Sequence, residues 1–264
     1  MSYPDLPSEI LDLIVDFLYD EPGTLGQCCL VSKSWVPRTR KHLFTMVVFR
    51  TNFDLQVWKK TFPDPPKSPA HYTQALTIWC PGAITEADGA DDGWISTFSH
   101  LVRLKVEGSL NSYDGSRVDL APFHKVSPTL KSLFITSSPF PLSQFFNLIG
   151  SLPLLEDLSL VGSVDHINDY DPGDPHAVVP SSAPPPFTGL LDLRLYVGNE
   201  DAANRLLNMP NGLHFRGLRL QWFKWKLPRY VIQLVTACSD TLEFLDITCM
   251  GKGAASFCWN GHLL

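Results

Sequence analysis

The sequence lacks any apolar run that approaches the ~20 residues of a membrane-spanning helix. Near its start, Asp5, Glu9, Asp12 and Asp16 interrupt the apolar residues and no basic leader precedes them, so the segment does not match a secretory signal. We therefore expect no membrane partner and a location in the cytoplasm or the nucleus. In those compartments thiols stay reduced, so the six cysteines are predicted to form no disulfides. Five of them lie within or beside apolar segments and are predicted to be small core residues: Cys28, Cys29, Cys80, Cys238 and Cys249.

Positive charge is scarce, and catalytic motifs are missing. Lysine and arginine number 21 against 27 acidic residues, a net charge of -6, whereas a nucleic-acid partner demands a basic stripe. A basic cluster at residues 38–42 is predicted to be the solvated face of a helix. The chain contains no nucleophile elbow, phosphate-binding loop, dinucleotide fingerprint or His-Glu-x-x-His helix. We therefore expect no nucleic-acid partner and no catalytic residue, with a hydrolase hidden in a degenerate fold as an alternative.

Two sets of residues have metal-ligand character. The acidic stretch from Asp169 to Asp174 lacks the glutamate that closes a calcium loop at its twelfth position. Cys249, Cys258 and His262 lack the paired Cys-x-x-Cys of a zinc site. The sequence therefore predicts no metal and no cofactor.

The chain begins with a pattern of three short amphipathic helices. Ile10, Ile14 and Phe17 lie at helical spacing after Pro7, and the helix is predicted to end at residues 20–23. A second helix, capped by Thr24, and a third, preceded by a pair of serines, are predicted to follow. A core built from about 40 residues is marginal alone, so this unit is expected to need a partner.

The same segment carries a motif, written Leu6-Pro7-x-Glu9, then Cys28-x-Leu30-Val31-Ser32-x-x-Trp35, then Leu43-Phe44. This motif resembles the F-box. The resemblance implies that residues 1–50 dock on the Skp adaptor of a cullin-RING (SCF-type) ubiquitin ligase. By that resemblance the adaptor-binding residues are Leu6, Pro7, Ile10, Ile14, Leu30, Val31 and Trp35. The alternative is a helical hairpin that packs on its own C-terminal domain and buries Trp35 there.

The rest of the chain repeats Leu-x-x-Leu-x-aliphatic. Its copies are Thr73/Leu76/Ile78, Leu101/Leu104/Val106, Leu130/Leu133/Ile135, Leu155/Leu158/Leu160, Leu190/Leu193/Leu195, Phe215/Leu218/Leu220 and Leu242/Leu245/Ile247. The spacing resembles that of leucine-rich repeats, whose units span about 20–29 residues. The expected fold is therefore α/β: a three-helix F-box followed by an irregular leucine-rich-repeat-like solenoid with a curved parallel sheet. Helices are predicted within 93–100, 142–152, 201–209 and 227–238.

Composition suggests where these regions begin and end. A proline-rich stretch predicts a linker over residues 51–72, and about seven repeats then occupy 73–264. An acidic and then proline-rich insertion at 165–186 is predicted to be a loop. The tail after Ile247 lacks the polar capping unit that repeat proteins need, so a longer natural chain is one alternative.

Strand residues that alternate with the buried leucines are expected to form a client-binding face. The predicted client contacts are Trp79, Lys105, Phe134, Arg194, Tyr196 and Arg219, because interfaces favour aromatic residues and arginine. An ordinary solvated sheet face is the alternative. The predicted function is a substrate-recruiting subunit of an SCF-type ligase, with a non-degradative scaffold built from the same two modules as the alternative.

Overall fold

The computed structural model describes residues 7–79, 92–108, 120–126, 128–165, 185–195, 199–222, 228–250 and 255–260. Over these ranges the chain is an α/β protein with seven α-helices and an open nine-stranded sheet. The helices are α1 Ser8–Phe17, α2 Pro22–Val31, α3 Val36–Leu43, α4 Asn52–Thr61, α5 Leu142–Gly150, α6 Asn199–Leu207 and α7 Arg229–Ala237. The strands are β1 Met46–Phe49, β2 Ala75–Trp79, β3 Arg103–Glu107, β4 Ser132–Pro141, β5 Asp157–Asp165, β6 Leu190–Leu195, β7 Gly217–Trp222, β8 Phe244–Cys249 and β9 Ala255–Asn260. No helix in these ranges is both long and apolar enough to cross a membrane.

The strand order in the sheet is the order along the chain. Strands β1 to β8 are parallel, and β9 pairs antiparallel with β8. A parallel pair needs a crossover, and α5, α6 and α7 supply three of them, as predicted. The segment predicted to be helical at 93–100 instead forms a short 3-10 helix, Asp92–Thr97.

The repeated leucines form columns across the sheet. Leu76, Leu104 and Leu133 occupy equivalent positions on β2, β3 and β4, and all three are buried. The aliphatic residue two positions later forms a second buried column. Because side chains alternate between the two faces of a strand, both columns point into the core beneath the crossover helices.

One predicted repeat is out of frame. The register pairs Leu158 with Leu191 and Leu160 with Leu193, so Leu191 rather than Leu193 is the central leucine of the fifth copy. In this copy Phe187 has φ 44°, is fully buried and packs against Phe215, with ring centroids 5.1 Å apart and ring planes tilted by 35°. Phe187 lies four residues before Leu191, the central leucine of its copy. In the other copies the first residue of the motif lies three residues before the central leucine. The predicted central leucine is two residues away from the observed one. Since side chains alternate with a period of two, each strand residue still lies on the face of the sheet that was predicted for it.

The sheet begins earlier than residue 73. Strand β1 lies within the segment predicted to be the F-box, and it pairs with β2. The predicted linker 51–72 contains α4, which starts with a capping box between Thr51 and Asp54, and then two 3-10 helices in which Pro69 and Ala70 are buried. This stretch is therefore packed structure rather than a free spacer. The sequence also did not predict β9, which lies in the tail.

The three N-terminal helices are present, but two begin at other residues than predicted. Helix α2 begins at Pro22, before Thr24, and Trp35 precedes α3. A proline stands in the first turn of each, where its missing N–H costs little. The predicted loop 165–186 lies mostly outside the described residues.

Candidate protein-binding surfaces

Helices α1 to α3 share a small interior of their own. Its buried side chains are Val15 on α1, Leu25 and Cys28 on α2, and Thr39 on α3. The Thr39 hydroxyl donates to the Trp35 carbonyl at 2.8 Å, and the Cys29 thiol lies 2.9 Å from the same hydroxyl. Val15, Leu25 and Cys28 are not part of the main hydrophobic core. The unit therefore buries little apolar surface for its size.

A charged cluster joins α1 to α3. The Arg38 guanidinium donates to both carboxylate oxygens of Asp16, with Nε 2.6 Å from Oδ1, and His42 Nε2 lies 2.7 Å from Oδ1. These hydrogen bonds, first from Arg38 and then from His42, hold the pKa of Asp16 well below its usual range. The same pair raises the pKa of Arg38. Two members of the predicted basic cluster are therefore engaged within the unit instead of facing solvent as free charges.

The opposite side of α1 is apolar and exposed. Val15 is 1 % exposed, whereas Phe17, two residues later, is 83 % exposed. Ile10, Leu13 and Ile14 are exposed as well. On α2, the last two side chains, Leu30 and Val31, are 80 % and 69 % exposed. Soluble monomers seldom leave this much apolar surface uncovered unless a partner binds it.

Most residues of the predicted adaptor site lie on this exposed surface. Pro7, Ile10, Ile14, Leu30 and Val31 are exposed and Trp35 is half-buried, while Leu6 lies outside the described residues. Leu13 and Phe17 were not in the predicted set, but they are exposed on the same helical face as Ile10 and Ile14. Their spacing in the sequence already indicated that shared face.

The polar face of the sheet is the second candidate surface. Of the predicted client contacts, Trp79 is exposed at the end of β2 and Phe134 is half-buried on β4. Lys105 forms an ion pair with Glu107 on its own strand. Tyr196 lies outside the described residues. Trp79 and Phe134 are therefore the two aromatic side chains of the predicted set that this face presents.

The two predicted arginines are bound by neighbouring carboxylates. Arg194 forms two hydrogen bonds of 2.7 Å with Asp192, whose side chain is buried, and Ser159 donates to the same carboxylate at 3.3 Å. Arg219 is on β7, between Asp192 of β6 and Asp246 of β8. Its Nε donates to Asp246 at 3.2 Å, and its Nη1 lies 3.9 Å from the Asp192 carboxylate. Two arginines and two aspartates thus form a neutral network across β6, β7 and β8. This network fixes the surface and leaves neither arginine as an isolated cation for a phosphate.

Another aspartate on this face ties three strands together. Asp157 on β5 accepts from the Ser132 hydroxyl of β4 at 2.7 Å and from the Leu190 backbone N–H of β6 at 2.8 Å. A Cβ on Gly189 would lie 1.9 Å from the Asp157 carboxylate, so any other residue there would force this carboxylate to move. The face is therefore built around specific polar contacts between its strands.

Among the residues that the structure describes, no group of three or more His, Cys, Asp or Glu side chains is placed to hold a metal ion. The calcium-like stretch from Asp169 to Asp174 lies outside these residues, as does His262 of the zinc-like set. Cys258 lies on β9 opposite Asp246.

Comparisons with models of protein families, with curated proteins and with solved structures give no match to this chain. Its function is therefore inferred from its own residues and their geometry.

Proposed function

We propose that this chain is a substrate-recruiting subunit of an SCF-type ubiquitin ligase. Helices α1 to α3 act as the F-box and bind a Skp-family adaptor, and the polar face of the sheet binds a client protein. The chain then works in the cytoplasm or the nucleus, where such ligases assemble.

The uncovered apolar surface of α1 and α2 supports this assignment most directly. It includes residues that the F-box resemblance assigns to the adaptor: Pro7 before α1, Ile10 and Ile14 on α1, and Leu30 and Val31 on α2. Trp35, also in that set, is half-buried. Interfaces favour tryptophan anchors at such positions.

The sheet supports the second half of the proposal. Its sequential parallel strands, joined by crossovers and carrying stacked leucine columns, match the physical description of a leucine-rich-repeat-like solenoid. In such an array each repeat contacts its neighbours, and the inner strand residues form one extended binding face. Trp79 and Phe134 are the side chains of this face that we assign to the client first.

The mechanism requires no chemistry from this chain. Holding the client and the ubiquitin carrier in one assembly raises their effective concentration, and other subunits carry out the transfer. If the assembly served only as a scaffold, the adaptor would still bind while client levels stayed constant. Deleting the protein and measuring client abundance separates the two outcomes, since a ligase subunit predicts that client levels rise.

The first test is calorimetric titration of a purified Skp-family adaptor into the full chain. A Leu30→Asp, Val31→Asp variant places charges in the proposed interface at exposed positions, so it should remain folded and lose detectable binding. Leu154→Asp is the control, because Leu154 is also an exposed aliphatic residue, at 47 %, and lies away from α1 to α3, so the change should not affect binding. Unchanged binding of the double variant, or no binding of the wild-type chain, would refute the proposal.

A further inference from the structure

Strand β1 leaves one edge of the sheet open. It is the first strand in the sheet order, and β2 is its neighbour on one side only. Among the described residues no strand pairs with its other side, so that edge presents backbone N–H and C=O groups without ladder partners. Natural sheets usually protect such edges with lysine, proline or inward charges. This edge reads Met-Val-Val-Phe and carries none of them.

A groove of about 440 Å³ runs beside this edge. All four residues of β1 line it, so the groove follows the strand along its length, and α4 supplies the facing wall. On that wall Phe53 is 74 % exposed and Val57 is exposed as well. The Trp58 ring also lines the groove and packs edge-to-face against Phe62, with ring centroids 4.8 Å apart. The groove is therefore apolar and rests on packed aromatic rings.

The carboxylate and the hydroxyl groups of the groove wall are already paired within the chain. Asp54 accepts from the backbone N–H groups of Arg50 at 2.8 Å and Thr51 at 3.0 Å. The Thr61 hydroxyl donates to the Val57 carbonyl at 2.7 Å. The polar groups that run along the whole groove are those of the β1 backbone. A ligand that suits this site therefore makes its hydrogen bonds through its own backbone and presents apolar side chains to α4.

We propose that the groove between β1 and α4 binds a short, extended and predominantly apolar peptide segment, which adds to the sheet as a further strand beside β1. This is recognition by strand addition, in which main-chain hydrogen bonds give affinity and pockets for alternate side chains give specificity. The groove's size selects a peptide over a second copy of the chain. It is lined by 12 residues, whereas a stable protein dimer uses about 20–30 residues on each side.

The surface differs from the proposed adaptor site. Phe53 and Val57 lie on α4, whereas the adaptor residues lie on α1, α2 and the turn before α3. Variants in one surface should leave binding to the other unchanged. A failure of this proposal is therefore distinguishable from a failure of the F-box assignment.

The test selects peptides of about eight residues, twice the length of β1, from a phage-displayed random library against the full chain. The strand-addition site predicts enriched peptides with aliphatic or aromatic residues at alternate positions. A synthetic copy of an enriched peptide should slow amide hydrogen exchange at β1. It should bind about tenfold more weakly to a Phe53→Ser, Val57→Ser variant, because both replaced side chains line the groove.

Two controls separate strand addition from other binding. Ile232→Ser, at an exposed position of α7, should leave the affinity unchanged. A peptide with proline in its central, strand-paired positions should lose binding, because proline cannot donate to the ladder. No enrichment, equal binding to the Phe53→Ser, Val57→Ser variant, or retained binding of the proline peptide each overturns the proposal. Protection of β1 that appears with rising protein concentration and without peptide also overturns it, in favour of a second copy as the occupant.

Discussion

Substitutions of two side chains on α1 should have opposite effects on stability and on adaptor binding. Val15 is 1 % exposed and helps to form the interior of the three-helix unit, whereas Phe17 is 83 % exposed. We expect Val15→Ala to lower stability and Phe17→Ala to leave it unchanged while weakening adaptor binding. The contrast tests whether the apolar side of α1 faces outward.

The magnitudes follow from burial. Val15→Ala removes the equivalent of two buried methylene groups at about 0.8 kcal/mol each and leaves a small cavity, so it should lower the free energy of unfolding by about 2 kcal/mol. Phe17 is mostly in water in the folded state, so Phe17→Ala should change that free energy by less than about 0.5 kcal/mol. As a buried aromatic in the complex, Phe17 should contribute about 2 kcal/mol to binding, which is about a thirtyfold loss in affinity for Phe17→Ala.

Urea unfolding followed by circular dichroism measures the change in the free energy of unfolding for both variants. Calorimetric titration with the Skp-family adaptor measures the loss of affinity for Phe17→Ala. If Phe17→Ala destabilises the chain as much as Val15→Ala does, the apolar side of α1 is covered by the chain itself. That result would refute the proposal that α1 keeps an apolar surface uncovered for a partner.

Three further predictions concern the folded chain. Leu133→Ala should lower the free energy of unfolding by about 2–5 kcal/mol in a urea titration, because Leu133 is fully buried at the centre of a leucine column; a loss below about 1 kcal/mol would contradict the column. Gly189→Ala should lower the free energy of unfolding by about 1–3 kcal/mol, because the added Cβ displaces the Asp157 carboxylate from the Leu190 backbone N–H. Gly26→Ala in α2, where a Cβ meets open space, should be neutral or stabilising. Equal effects of the two substitutions would contradict the close approach at Gly189. The pKa of Asp16 is lower in the folded chain than its unfolded value of about 3.9, so the unfolded state binds more protons in acid and stability should fall as the pH drops below about 5. Asp16→Asn should therefore make the urea midpoint depend less on pH between about pH 6 and pH 3. An unchanged pH dependence of the midpoint would contradict the pairing.

Much of the sheet was predictable because its pattern repeats. The alternation around Leu104, Leu133 and Leu158 placed these residues in the core, and the structure stacks them on successive strands. The helical spacing of apolar residues also predicted α5, α6 and α7. In the copy that begins at Phe187, the same pattern gave Leu193 as the central leucine instead of Leu191. This copy has one extra residue before its leucine, and residue spacing does not reveal that Phe187 adopts φ 44°.

Other features depend on contacts that residue spacing does not encode. Strand β1 is only four residues long, and the prolines at 63–69 made composition favour a linker over 51–72, where the chain instead packs α4 against the sheet. The arginines at 194 and 219 suggested client contacts, but Arg194 pairs with Asp192 two residues earlier on its own strand. The strand register places Arg219 beside Asp246. The sequence therefore predicted which face these residues occupy and not how their charges pair.

The decisive experiment is amide hydrogen exchange of the full chain, with and without a purified Skp-family adaptor. If α1 and α2 bind the adaptor, exchange should slow in these two helices and stay unchanged in β3 to β8. Unchanged exchange in α1 and α2 at saturating adaptor, or protection confined to the sheet, would contradict it.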